Sequence, residues 1–168
     1  MRTPWGVLAG VVVGALLAGG HGAGAAPPRT VTVTLVAGLG PANGGLNFNG
    51  YARGELTLTV PRGWRVTIHY RNRSALRHSL VVTPATAAQP DAAPPTPAFP
   101  GAATRDPLGG IGPGHEETVS FVAERAGRYE FLCGVLGHAQ AGMWDTLVVS
   151  PSARAPRVHP VGALEVVQ

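Results

Sequence analysis

Lysine is absent from this chain: all thirteen basic residues are arginine, scattered along the sequence with no basic helix among them. That argues against a nucleic-acid reader. The net charge of +4 suits an anionic partner or a negatively charged membrane surface instead. Cysteine occurs once, so no disulfide can form within the chain. Aromatic residues are only 6%, and nothing after the first residues shows the apolar period of an amphipathic helix, which argues against a helical bundle. What the chain has in abundance is 24 glycines and 16 prolines, with 45% hydrophobic residues in a length of 168. That is room for one ordinary domain with many turns.

The N-terminus carries Arg2, an apolar run from about Trp5 to Ala18, and then small residues ending in Ala23-Gly24-Ala25. This is the pattern of a secretory signal peptide, and the run is shorter than the roughly 20 apolar residues of a spanning helix. Residues 1–25 are therefore expected to be a signal peptide or an N-terminal membrane anchor, residues 26–150 the folded domain, and residues 151–168 a C-terminal tail. Export follows in either case, to the periplasm or the outer face of the cytoplasmic membrane. A solitary thiol in an oxidising compartment needs burial or a ligand.

Thr30 to Val36 alternates β-branched and polar positions, the period of a half-buried strand. Similar runs lie at 55–60, 64–70, 78–83, 117–123, 128–133 and 146–150, separated by turn residues such as Pro61-Arg62-Gly63 and Gly112-Pro113-Gly114. Seven or eight such strands predict an all-β protein, an antiparallel β-sandwich of Greek-key type. Residues 84–108, rich in alanine and proline, predict a long loop insertion. Residues 162–167 could add an edge strand.

Alternation in Arg128 to Cys133 puts Tyr129, Phe131 and Cys133 on one face, with Glu130 looking out. The loop that follows, Cys133-Gly-Val-Leu-Gly-His138-Ala-Gln-Ala-Gly-Met143-Trp144, spaces a thiol, an imidazole and a thioether five residues apart. Its glycines let the three donors turn toward one point. Thiolate, imidazole and a weak thioether make up the ligand set of a blue copper centre once a second histidine joins. His78, at the start of a separate strand, is the natural supplier. Zinc more often takes four closed ligands without methionine. The backbone N–H groups of Ser79 and Val135 are candidates to hydrogen-bond the sulfur, and the Ser79 hydroxyl could tie the two ligand segments together. Arg71, Arg73 and Arg77 precede His78 and could steer an acidic partner.

Residues 46–150 resemble the sulfocyanin branch of the cupredoxins and, more distantly, rusticyanin. The resemblance rests on Leu46-Asn47-Phe48-Asn49-Gly50, Val60-Pro61-Arg62-Gly63-Trp64, His78-Ser79, the segment Gly109 to Gly114, and Cys133 to Trp144. It implies a cupredoxin-like domain with one type 1 copper held by His78, Cys133, His138 and Met143. It further implies an electron carrier rather than an enzyme, acting as a monomer in a respiratory chain, with a cytochrome or terminal oxidase as partner. Electrons would pass at an apolar patch around His138, to which Leu136, Ala139 and Ala141 belong. Leu136 stands where related loops often carry proline. Copper storage or delivery is the alternative, although such proteins often use Met- or His-rich sites and the chain has only two methionines. A copper enzyme would need further sites, and no His-x-His or His-Cys-His run occurs.

Overall fold

The computed structural model describes residues 29–85, 95–160 and 162–167. The expected leader, and residues 86–94 of the expected insertion, lie outside the described residues. Among the described residues nine strands form two sheets: β1 Thr30–Ala37, β2 Thr57–Pro61, β3 Arg65–Asn72, β4 Val81–Pro84, β5 Glu116–Val122, β6 Gly127–Leu132, β7 Trp144–Ser150, β8 Arg157–His159 and β9 Val166–Val167. One sheet has the order β5-β3-β1-β9, the other β4-β6-β7-β2-β8. The all-β sandwich expected from strand periodicity is therefore present, and a 3-10 turn at Ala42–Gly45 is the one helical element among the described residues.

Strand direction differs from the expected antiparallel arrangement. β1 pairs with β3, and β2 with β7, in parallel. The cause is topological: the chain leaves the first sheet after β1, runs β2 in the second, and returns with β3 beside β1 in the same direction. A strand that hops sheets cannot make a hairpin with its predecessor.

The alternation of β1 and β3 buries Val31, Val33 and Leu35 on one strand and Val66, Ile68 and Tyr70 on the other. They face Leu58, Val60, Phe131, Leu147 and Val149 of the second sheet in one continuous core. Phe48, from the loop after β1, meets Tyr70 and Phe131 edge-on, with ring centroids 6.4 and 5.8 Å apart. Each such aromatic pair contributes about 0.5–1.5 kcal/mol beyond its buried area.

Residues 95–108 pack against the open edge of β4. Ala98 N–H donates to Val82 O, Val82 N–H to Ala102 O, and Thr104 N–H to Leu80 O, at 2.7–2.9 Å. Phe99 reaches into the core and stacks on Phe121 at 5.3 Å. The C-terminal segment supplies an edge strand to each sheet, β8 against β2 and β9 against β1. Glu130 does lie on the outward parity of β6, yet it is buried, and that burial raises its carboxyl pKa against the opposing pull of Arg128.

Candidate metal centre

Cys133 follows directly from the last residue of β6 and ends its core-facing row, as alternation requires. The 11-residue segment from Cys133 to Met143 then closes on itself: Cys133 N–H donates to Met143 O (3.1 Å) and Met143 N–H to His138 O (2.9 Å). His78 sits just before β4 and is held by a two-way bridge to Ile111, N–H to O at 3.2 Å and back at 2.8 Å. Gly110, at φ +66°, allows this approach, since a Cβ there would lie 2.8 Å from the His78 carbonyl.

The donors converge. Cys133 Sγ lies 3.4 Å from His138 Nδ1 and 3.8 Å from His78 Nδ1, the imidazole centroids are 4.9 Å apart, and one donor atom from each of the three residues falls within 4.8 Å of the others. Met143 is fully buried in the same core. Ligand bonds of roughly 2.0–2.3 Å at trigonal angles give donor separations of about 3.7 Å, so the triangle has the size of a first-row metal site. The donor set itself, two imidazoles, a thiol and a thioether, is that of type 1 copper. The residues fit the metal.

Electrostatics agree with ligation. Burial lowers the His78 imidazole to about 4, with neighbouring His138 adding to the effect, and burial lowers His138 as well. Both shifts favour the neutral ring, the form that binds a metal. His78 Nε2 is buried with no hydrogen-bond partner. Burial raises the Cys133 thiol, while backbone N–H bonds from Ser79 and Val135 act in the opposite direction. Metal binding must then displace a thiol proton, so affinity rises with pH.

The expected donors to sulfur are both in place, Ser79 N–H at 3.3 Å and Val135 N–H. The Ser79 hydroxyl does join the segments: it accepts from Gly134 N–H (2.8 Å) and donates to Pro107 O (2.6 Å). Replacing Ser79 with alanine leaves Gly134 N–H buried without a partner. Urea unfolding of the metal-free variant should show a loss of about 1–3 kcal/mol; an unchanged midpoint would contradict the tie.

Several positions depart from expectation. Leu136 is 77% exposed and Ala141 half-buried, but Ala139, expected on the docking patch, is buried against Val81 and Leu132 in a small cluster on the outer face of the second sheet. Trp144 packs on that cluster rather than in the main core. Arg77 is engaged, its guanidinium donating to Gly109 O (2.7 Å) and Gly110 O (2.5 Å), and Arg71 pairs with Glu116 at 3.2 Å. Only Arg73 of the three keeps a charge without such a partner among the described residues.

Three residues that hold the site escaped the sequence reading. Asn72 donates to Leu76 O and Ile111 O and accepts from Ser74 N–H, so it locks both flanks of His78. Tyr70 donates its hydroxyl to Ser79 O at 3.0 Å. Asp145 accepts Leu56 N–H at 2.9 Å from a fully buried position. Asn72 and Asp145 are polar residues at core-facing parity, and that was the available signal.

Comparison with known proteins agrees with this geometry. A family model described as the sulfocyanin (SoxE) domain matches residues 25–159. Sulfocyanin of Sulfolobus acidocaldarius is 32% identical over 141 residues, covering 76% of this chain and 67% of that protein. Among solved structures, reduced auracyanin of Roseiflexus castenholzii is 27% identical with a TM-score of 0.51, covering 71% of this chain and 97% of its own. The copper protein rusticyanin is 25% identical with a TM-score of 0.53, covering 73% and 78%. With the family model spanning most of the chain and the four donors gathered at one end of its sandwich, the chain belongs to the sulfocyanin family of blue copper proteins.

Proposed function

We propose that this chain is a one-electron carrier of an exported or membrane-associated respiratory chain, exchanging electrons with a cytochrome or terminal oxidase at the Leu136 face. The observation that carries this reading is the donor set: the two imidazoles and the thiol converge within 4.8 Å, and the thioether of Met143 is buried in the same core. Bound copper supplies a Cu(I)/Cu(II) couple at such a site. The chain's task is to keep the donors in one arrangement in both oxidation states, and the bonds from Ser79, Asn72 and Ile111 suit it. His138 is half-buried in the loop that exposes Leu136, which gives electrons a short route to the surface.

In the copper-loaded chain, ascorbate should remove one electron equivalent's worth of colour per chain and ferricyanide should restore it; any stoichiometry other than one defeats the carrier reading. Leu136→Asp places a charge on the docking face. Oxygen uptake by oxidase-containing membranes of the same source, fed by the reduced chain, should slow roughly tenfold, equivalent to about 1.4 kcal/mol. Equal rates would remove Leu136 from the docking role.

A further inference from the structure

The two poles of the sandwich differ in chemistry. At the metal pole lie four exposed leucines, Leu39, Leu76, Leu108 and Leu136, on the loops around His78 and Cys133. The opposite pole is where β1, β3 and β6 begin and where β2, β5 and β7 end, about 20 Å away along the seven residues of β7. Its loops are joined to one another: Arg65 N–H donates to Arg29 O, Arg62 N–H to Ser150 O, and Gly63 N–H to Ala123 O. Five exposed arginines, Arg29, Arg62, Arg65, Arg154 and Arg157, therefore gather on this one surface. None of them has an ion-pair partner among the described residues. Among the described residues, the one exposed acid on the connecting turns there, Glu124, already pairs with Arg125 at 3.0 Å.

We propose that this remote pole is a docking face for anionic lipid headgroups, which holds the chain on a negatively charged membrane with its metal pole turned to the aqueous side. Three observations favour lipid over an acidic protein. First, the four exposed leucines all lie at the metal pole, and toward this end the large exposed apolar side chain among the described residues is Val167 alone, on the β9 edge beside Thr32; protein interfaces are built on clusters of buried apolar anchors, whereas a lipid surface needs only charge. Second, Arg154 and Arg157 line an open depression of about 380 Å³ with Thr59, Ser150 and Ser152. Ser150 Oγ accepts from the N–H groups of Ser152 and Ala153 and lies 3.3 Å from Ser152 Oγ, so one hydroxyl hydrogen of this pair is left to point outward. Two guanidinium groups and hydroxyl donors are the set that binds a phosphate. Third, the chain enters the fold at Arg29 on this same pole, with ten residues separating it from the apolar residues 5–18. Any anchor they form joins the fold beside the basic face. Arg29 also lies over the Trp64 ring at 5.9 Å, placing an aromatic body next to the charge.

The face holds whether or not the chain carries electrons, so its test is binding. The full chain is mixed with phosphatidylcholine vesicles, with and without phosphatidylglycerol, and the bound fraction is measured by sedimentation at low and high salt. The wild type should prefer the anionic vesicles, and salt should abolish the preference. An arginine near such a surface is worth about fivefold, so Arg154→Gln with Arg157→Gln should lower the anionic preference about 25-fold. Arg73→Gln with Arg105→Gln removes the same charge from the metal pole and should change it little. Amide exchange on the vesicle should slow at 61–65 and 151–157 and not at 134–140. Equal losses from the two double variants would reduce the effect to net charge and overturn the face. A wild type that shows no anionic preference overturns it in favour of a protein partner, and protection centred on the metal pole overturns the orientation.

Discussion

Cys133→Ser should leave the copper-treated protein colourless, whereas the wild type with Cu(II) turns an intense blue or green that ascorbate bleaches reversibly. The colour of such a centre belongs to charge transfer from thiolate to metal, and the chain has one thiol. No other sulfur can replace it: Met143 is a thioether, and a serine oxygen is a poor donor to Cu(I). The substitution is small, and the Ser79 and Val135 N–H groups still have an oxygen near them to bond. The metal-free variant should therefore melt within a few degrees of the metal-free wild type, which separates loss of the ligand from loss of the fold. Absorption spectra of both proteins with equimolar Cu(II) check this, and a variant that keeps the band would remove the thiolate from the centre.

The second large effect concerns acid. Burial lowers His78 from 6.5 to about 4, so between those values the unfolded chain binds the proton and the folded chain does not. Stability from this group is present above 6.5 and is lost as pH falls toward 4. Asp145 runs the other way. Burial, with Glu55 adding to it and N–H bonds from Leu56 and Gly54 opposing, pushes its carboxyl from 3.8 up to about 7. The folded chain then holds a proton that the unfolded chain has lost, and stability grows as pH falls from 7 toward 4. At 1.36 kcal/mol per unit each contribution is about 3–4 kcal/mol, and the two oppose each other. The metal-free wild type should therefore lose less stability between pH 7 and pH 4 than a chain in which Asp145 cannot titrate. Asp145→Asn retains an oxygen acceptor for Leu56 N–H and removes the titration, so its stability should fall by about 3 kcal/mol over the same range in urea unfolding. Parallel pH curves for the two proteins would refute the compensation.

The ligand loop was legible in the sequence because its information is local: one strand parity and one spacing place Cys133, His138 and Met143. His78 was legible because it opens the run 78–83, although β4 itself begins only at Val81 and a bridge to Ile111 holds the histidine ahead of it. The strand runs were equally local, and each of those at 30–36, 64–70, 117–123 and 128–133 lies on a strand to within a residue or two. Pairing direction was not, because parallel neighbours such as β1 and β3 depend on the excursion between them. Phe99 was hidden by its alanine- and proline-rich neighbours, which give no period from which to infer that one aromatic ring enters the core. Ala139 was misplaced because a ligand loop at a tip suggests solvent on all sides, whereas Val81, Leu132 and Trp144 build a second apolar surface beneath it. Arg77 looked like free charge because its partners are carbonyls 32 and 33 residues away.

The separation of 55 positions between His78 and Cys133 sets an order of assembly. Three donors sit in one short loop and can meet in a largely unfolded chain. The fourth arrives only when β4 has docked on β6, and the bridge to Ile111 holds it there. A chain that starts unfolded therefore has its full copper site only after the second sheet has closed, because long-range pairing must precede the last ligand. Copper colour, followed in time after dilution from urea, is then a clock for the closure of that sheet.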